Sequence, residues 1–198
     1  RIMEAGATYS TAEGTGVDFI WTRYNRFGRA DTLRYEARLA DIDSRLGADL
    51  SLPHWPRPGR TLKLGAAAVN EDTDAYERTA AVLYADLQQR IGKTSYFSYG
   101  IGLDAGRYRE NRFIIDDTVT PPIAEAVTLD RDLAIITART SAYMDRSNDP
   151  LNPTRGYRLT FSGQPTAVTG EDNVLFLRAE GQATAYLPLQ DEARTVLA

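Results

Sequence analysis

The 198-residue chain contains no cysteine and a single histidine. The lack of cysteine excludes a disulfide framework, thiol catalysis and a thiolate metal site. The one histidine, His54, stands between Pro53 and Trp55 in a predicted turn, and no Cys-His or His-Glu spacing indicates a metal. The sequence also has no phosphate loop and no dinucleotide fingerprint. We therefore expect no enzymatic activity, no cofactor and no metal site.

Two further absences restrict the class of protein. The net charge is -4 and the isoelectric point is near 5.1, so there is no basic stripe of the kind that binds nucleic acid. No segment approaches the roughly 18 consecutive apolar residues of a membrane-spanning helix. The mean hydropathy of -0.39 suggests a soluble protein, but such averages mislead for β-barrels, where apolar and polar residues alternate along every strand.

Alternation of apolar and polar residues is what the sequence does contain. Tyr157, Leu159 and Phe161 alternate with arginine, threonine and serine after a turn rich in proline, and residues 33–40 show the same period more cleanly. We count about eleven such strands. Residues 79–90 are rich in helix formers, but their alternation favours a strand. The pattern predicts an all-β, antiparallel, up-and-down transmembrane β-barrel.

The polar faces of these strands carry charged residues in mid-strand, which we predict to face an aqueous lumen. Several strands reach about ten residues, the length that a tilted strand needs to cross a bilayer. A soluble β-sandwich or lipocalin-like barrel is the alternative, and two stacked sheets that bury Leu33, Leu50, Leu83, Ile101 and Leu177 would support it. The predicted lumen charges are Arg34, Glu36, Arg38, Asp49, Lys63, Arg78, Asp86, Arg90, Asp104, Arg139, Arg178 and Glu180.

The connections and the aromatic residues also indicate a membrane barrel. Short connections rich in proline and glycine (25–29, 53–60, 92–94 and 149–155) alternate with acidic ones that include the longest (70–74, 107–129 and 164–173). Outer-membrane barrels have short turns at one rim and longer loops at the other. Aromatic residues near strand ends are expected to form interfacial girdles. They are Tyr9, Trp21, Tyr24, Trp55, Tyr76, Tyr96, Tyr157 and Tyr186.

Three motifs resemble a known family. They are Y-S-T-A-E-G at 9–14 with the turn that follows Trp21, L-P-H-W at 52–55, and D-P-L-N-P-T-R-G-Y at 149–157. Together they are similar to the outer-membrane BamA/TamA superfamily, also called the bacterial surface antigen family, and within it to the TamA branch. The turn residues that carry the resemblance are Asn25, Phe27, Gly28, Arg29, Asp149, Pro150, Pro153, Arg155, Gly156 and Tyr157.

The resemblance implies that residues 1–198 are the N-terminal, partial barrel domain of a bacterial outer-membrane protein. POTRA domains would lie upstream, and the closing strands and the family's V-R-G-[FY] motif would lie downstream. The expected partners are outer-membrane lipid and lipopolysaccharide, and unfolded outer-membrane client proteins. The resemblance leaves open whether an inner-membrane-anchored partner subunit exists.

The implied function is the insertion or export of β-barrel or autotransporter proteins, by pairing of a client strand at a weak barrel seam. The first strand is the expected edge of that seam, because it is short and contains a glycine. A passive channel and a two-partner secretion transporter remain alternatives. The predicted edge residues are Ile2, Met3, Glu4, Ala5, Gly6, Ala7, Thr8 and Tyr9.

Overall fold

The computed structural model describes residues 1–11, 14–73, 75–116, 123–171, 173–188 and 196–197. Within these ranges the secondary structure is strand only, and no helix is long and apolar enough to cross a membrane. The strands are β1 (Ile2–Ser10), β2 (Gly14–Tyr24), β3 (Thr32–Ala40), β4 (Asp43–Pro53), β5 (Arg60–Asp72), β6 (Tyr76–Ile91), β7 (Ser95–Asp116), β8 (Ile123–Asp145), β9 (Gly156–Gly170), β10 (Val174–Pro188) and β11 (Val196–Leu197).

All eleven strands form one antiparallel sheet in the order in which they occur along the chain. Ten of them are long, whereas β11 contributes only two paired residues. No described residue of β1 pairs with β10 or β11, so the sheet is open between these edges. The prediction of an all-β, up-and-down barrel fragment is therefore confirmed, and residues 79–90 lie in strand β6 as the alternation indicated.

The two faces of the sheet differ in chemistry and in exposure. The register places Leu46, Leu64, Leu83 and Ile101 on the same face of the sheet, which we call the apolar face. Its side chains remain open to the surroundings; Leu46, for example, is 66% exposed. A large exposed apolar surface of this kind marks contact with a membrane or a partner.

The opposite face, called the polar face, is the more shielded one. The only buried hydrophobic residues among those described, Ala67, Val69 and Ala80, lie on it. Among the described residues no second layer packs on the apolar face, where Leu83, Ile101 and Leu177 are all exposed. The alternative of two stacked sheets is therefore wrong, because a sandwich would have buried these residues between its layers.

The height of the apolar face matches a bilayer. On β7 its apolar row runs over nine residues, from Phe97 to Ala105. At about 3.3 Å per residue and a tilt of about 40°, this row spans about 23 Å, close to the ~25 Å apolar band of outer-membrane barrels. Above it the same face becomes charged, where Arg107 pairs with Asp132.

The prediction of a long connection at 107–129 is wrong. Strand β7 continues to Asp116 and β8 begins at Ile123, and residues 117–122 lie outside the described part. The two strands pair with each other well beyond Tyr76 of β6 and Gly170 of β9, where their neighbours stop. Charged residues on both faces concealed the alternation, because a hairpin that extends beyond the membrane needs no apolar side.

The other acidic connections are also shorter than predicted. Strand β9 runs to Gly170, so most of 164–173 is strand, and β5 runs to Asp72. Asp72, predicted to lie in a loop at 70–74, is paired with Glu77, while Asp74 is outside the described residues. The connections predicted as turns rich in proline and glycine, by contrast, are irregular and occupy 25–31, 54–59 and 146–155. The asymmetry between the rims therefore comes from strand extension rather than from longer irregular loops.

The predicted aromatic girdle is only partly correct. The register puts Tyr9, Trp21 and Tyr157 on the apolar face, and Trp21 stacks on Tyr35 with 5.4 Å between ring centroids. Four of the predicted girdle residues instead project from the polar face, because their positions in the alternation are those of the charged residues. These four are Tyr24, Tyr76, Tyr96 and Tyr186.

Candidate functional site

Strand β1 lies at one edge of the sheet and is paired on one side only. It forms a nine-residue ladder with β2, from Ile2↔Thr22 to Ser10↔Gly14. Every residue from Ile2 to Tyr9 except Gly6 is exposed. The other side of β1 therefore presents backbone N–H and C=O groups that no described residue pairs.

The side chains of β1 add little to this ladder. Within the described structure, no side chain from Ile2 to Tyr9 forms a hydrogen bond or an ion pair. On the apolar face the middle of β1 offers only small side chains, with Ala5 opposite Phe19 and Ala7 opposite Val17, while Met3 stands opposite Trp21 near the end of the strand. On the polar face Gly6 leaves room for the Asp18 carboxylate, which lies 2.6 Å from where a Cβ would stand. Hence β1 is held mainly by its backbone hydrogen bonds.

The central strands are joined much more firmly. Strands β5 to β8 contain 13, 16, 22 and 23 residues, against nine in β1. Ion pairs and hydrogen bonds between side chains connect them on the polar face. Cross-strand pairs of this kind each stabilise a sheet by about 0.2–1 kcal/mol. Opening the β1 edge thus disturbs fewer interactions than opening the sheet between any two of the strands β5 to β8.

The structure places all twelve predicted lumen charges on the polar face. Their positions follow from the register, in which Arg34 faces Asp49, and Lys63 faces Asp86. Four pairs among the twelve are ion-paired: Arg34 with Glu36, Arg78 with Asp104, Arg139 with Asp86, and Arg178 with Glu180. That this face lines a lumen remains a prediction.

Strands β4, β6 and β8 are joined by a polar belt, which consists of Asp49, Tyr84, Asp86 and Arg139. The Tyr84 hydroxyl donates a hydrogen bond to Asp49 Oδ1, two strands away. The Arg139 guanidinium lies over the Tyr84 ring at 5.6 Å and pairs with Asp86 at 3.1 Å, also two strands away. Side chains that reach across an intervening strand indicate a sheet that curves towards this face.

Glycine on the intervening strands makes the belt possible. Gly65 of β5 lies beneath the Tyr84 ring, and a Cβ there would overlap the ring and stand 2.7 Å from Asp49 Oδ1. Gly100 of β7 lies beneath Asp86 in the same way. The sequence analysis found the charged members of the belt but missed Tyr84, because a tyrosine within an alternating strand gives no sign of the direction in which its hydroxyl points.

A second group on the polar face surrounds Arg78. Its guanidinium pairs with Glu71 at 3.0 Å and with Asp104, and it lies over the Tyr108 ring at 5.8 Å. Tyr108 in turn donates a hydrogen bond to Asp104 at 2.7 Å. Glu71, which the sequence suggested as a loop residue, is therefore a strand residue that ties β5 to β6 and β7.

The first family-like turn, 25–31, is built around a residue that the sequence analysis missed. Asp31 is fully buried, and its two carboxylate oxygens accept hydrogen bonds from the backbone N–H groups of Arg26 and Phe27, both at 2.9 Å. Burial alone would raise the pKa of Asp31, but these backbone donors outweigh it and hold the pKa below its usual value. An acidic residue shortly after an N-R-F-G-R turn is the sequence signal that could have identified it.

The second family-like turn, 146–155, is held by two side chains. Asn148 Oδ1 accepts hydrogen bonds from the N–H groups of Thr154 and Arg155, both at 2.9 Å. Asp149 Oδ1 accepts from Leu151 N–H at 2.7 Å, and such backbone donors hold the pKa of Asp149 below its usual value. The turn leads into Gly156, whose φ of 106° few other residues adopt.

Metal ligands are not grouped in the described part of the chain, where no three His, Asp or Glu residues stand close enough to hold an ion. The Nδ1 atom of His54 accepts a hydrogen bond from the backbone N–H of Gly59 at 3.3 Å. His54 thus stabilises the conformation of its own turn.

The comparisons with known proteins agree with this geometry. A search of the solved structures finds the crystal structure of BamA from Haemophilus ducreyi lacking POTRA domains 1-3, with a TM-score of 0.62 and 15% sequence identity. The match covers 98% of this chain and 39% of that one. At this identity the likeness shows the fold alone, which is that of an outer-membrane barrel fragment.

A family model then gives the family itself. The model of the Omp85 superfamily domain matches residues 25–198, so the chain belongs to the Omp85 superfamily. A search of curated proteins finds no match. The chain spans less than half the length of the solved structure that it resembles.

Proposed function

We propose that this chain is the N-terminal part of the barrel of a bacterial outer-membrane factor that inserts or exports other outer-membrane proteins. Membership of the Omp85 superfamily supports this function. The observation that carries the mechanism is the edge of β1, which is paired on one side and held almost entirely by backbone hydrogen bonds. In this proposal the turns 25–31, 54–59 and 146–155 lie at the periplasmic rim, and the polar face lines the lumen.

A one-sided edge in a membrane gives a driving force for strand addition. Each unpaired backbone group costs several kcal/mol in lipid, because no water is available to pair with it. A client strand that pairs with β1 removes this cost along its whole length. The small side chains of Ala5 and Ala7 leave room for varied client side chains on the apolar face. A weak seam at β1 therefore pairs with client strands with little selectivity for their side chains.

Cysteine crosslinking to a client strand tests the proposal. The full-length protein would carry Ala5→Cys or Ala7→Cys, with Ala37→Cys in β3 as the matched control. Ala37 lies on the same face but in a strand that is paired on both sides. We expect disulfide-linked product with a stalled client carrying a cysteine in its terminal strand at positions 5 and 7, and none at position 37. Equal crosslinking at all three positions, or none at any position of β1, would refute the mechanism.

The polar belt weighs against a passive channel. Charges on the polar face are joined in pairs across strands, and such pairs tie the wall together rather than select ions. A two-partner secretion transporter would share this fold and differ in its partner. Crosslinking of an exported substrate to residues of the polar face instead of to β1 would favour that function.

A further inference from the structure

A pocket on the apolar face lies between the first two turns of one rim. Strands β3 and β4 pair with Thr32 opposite Ser51, which brings turn 25–31 next to turn 54–59. The pocket between them has a volume of about 300 Å³. We call it the turn pocket, and its lining includes Phe27, Arg29, Leu50, Leu52, His54 and Trp55.

The lining of the turn pocket is apolar at one end and more polar at the other. Leu50 and Leu52 project from the apolar face of β4, towards the middle of the apolar band. Trp55 and Phe27 lie at the rim and are 39% and 56% exposed. Tryptophan at this level is typical of the boundary between hydrocarbon and polar headgroups. The pocket thus offers an oily wall below and a polar opening at the level of the turns.

Arg29 brings a charge that nothing in the described structure neutralises. The acidic residue of its own turn, Asp31, is buried and uses both oxygens on backbone N–H groups. The side chain of Arg29 forms no ion pair or hydrogen bond with any described residue, and it is exposed. A free guanidinium beside an oily wall fits a phosphate group, which arginine binds through paired N–H donors.

The charge of the whole rim points to an anionic ligand. The four described turns on this side, 25–31, 54–59, 92–94 and 146–155, contain six basic and two acidic residues. Both acidic residues, Asp31 and Asp149, accept backbone N–H groups. The described residues in the connections of the opposite rim, 11, 41–42, 73, 75, 171 and 173, include two acidic residues, Asp41 and Glu171, and no basic one. Basic residues at a membrane surface attract acidic lipids.

We propose that the turn pocket binds one anionic glycerophospholipid, with its phosphate on Arg29 and an acyl chain along Leu50 and Leu52. The inference rests on the proposed function only in that the apolar face meets the bilayer. A bound lipid would fix β3 and β4 at this rim, two and three strands away from β1. The protein would thereby hold its firm wall in the leaflet while the edge of β1 remains free to open.

Photo-crosslinking to a lipid tests this proposal. The full-length protein is reconstituted in phosphatidylcholine vesicles that contain a trace of phosphatidylglycerol with a photoreactive acyl chain, and the labelled peptides are mapped. We expect label within residues 50–55, lowered about tenfold by Arg29→Gln, as for the loss of one charge-assisted hydrogen bond. Arg155→Gln is the matched control, because it removes the same charge from the same rim at a turn remote from the pocket. It should leave the label unchanged.

Other outcomes would overturn the proposal. Absence of label within residues 50–55, or equal label in the Arg29→Gln and Arg155→Gln proteins, would show that the pocket does not select a lipid through Arg29. An equally efficient reaction with photoreactive phosphatidylcholine would refute the preference for an anionic lipid. The client crosslink at Ala5→Cys is measured on the same samples. Its failure with the lipid label intact would count against the proposed function and not against the pocket.

Discussion

Replacement of Gly65 by alanine should disrupt the polar belt, because Gly65 lies beneath the Tyr84 ring. A Cβ at this position would overlap the Tyr84 ring, so the ring must swing away from its place above β5. Tyr84 then loses its hydrogen bond to Asp49 and its contact with the Arg139 guanidinium. We expect the free energy of unfolding to fall although the substitution adds only one methyl group.

The size of the effect follows from these two contacts. A hydrogen bond to a charged group contributes about 1.5–3 kcal/mol, and a cation–π contact at an exposed site about 0.5–1 kcal/mol. Because Tyr84 is only partly buried, we expect the lower part of the sum, about 2 kcal/mol. Gly102→Ala is the matched control, because Gly102 lies on the same face with its nearest neighbour, Arg139 Nη2, at 3.6 Å. It should cost less than about 0.5 kcal/mol.

A double-mutant cycle separates this reasoning from a general effect on the sheet. The unfolding of the full-length protein by denaturant, in detergent micelles, would be compared for Gly65→Ala, Tyr84→Ala and the double variant. If the cost of Gly65→Ala comes from Tyr84, it should largely vanish once Tyr84 is removed. A penalty that stays the same in the Tyr84→Ala protein would refute the account of the belt.

Two further predictions concern the turns. Asp31 has a lowered pKa in the folded state, so its contribution to stability should be complete above the unfolded value of about 4 and lost as the pH falls through the folded value. The stability difference between the wild type and Asp31→Asn should therefore shrink below about pH 4 in acid titrations, and a difference independent of pH would contradict the assignment. Gly156→Ala should cost more than Gly92→Ala, because a Cβ at Gly156 would overlap the Arg146 carbonyl oxygen whereas Gly92, also at positive φ, has open space around it. Equal shifts in the unfolding midpoint would show that backbone conformation alone decides the cost.

The alternation of side chains made most of the sheet predictable. A period of two assigned the predicted lumen charges of β3 to β8 to one face, and the register of neighbouring strands places them together on the polar face. A period of two is sufficient to assign side chains to a face, because a strand has only two faces. Strand β6 was recognisable on the same basis, although its alanines and leucines are good helix formers.

The long hairpin of β7 and β8 was not predictable in this way. Beyond Gly106 both of its faces carry polar residues, so the periodic signal disappears although the backbone pairing continues. The pairs that stabilise it are visible only in the fold; Arg109, for example, contacts Glu77 of β6 at 2.8 Å and Asp130 of β8 at 2.7 Å. Pro165 lies in a segment that was predicted to be a loop but belongs to strand β9. The ladder between β8 and β9 is interrupted near this proline, and β9 continues beyond it.

The contacts of the candidate sites were likewise hidden from the sequence. Asp31 lies in a turn where a solvated charge is the usual expectation, yet it is fully buried. The turn pocket joins residues 27–29 to residues 50–55, and only the pairing of β3 with β4 brings these segments together. Contacts between distant segments depend on the register, which the period of a single strand does not fix.

Alternating accessibility along β7 tests the central claim most directly. Single cysteines at Ile101, Gly102, Leu103 and Asp104, in a full-length protein that otherwise lacks cysteine, would be treated in the membrane with a water-soluble maleimide and with a lipid-dissolved quencher or label. We expect the cysteines at Gly102 and Asp104 to react with the water-soluble reagent, and those at Ile101 and Leu103 to respond only to the reagent in the lipid. Uniform labelling by the aqueous reagent, or the reverse alternation, would contradict a barrel whose apolar face meets the bilayer.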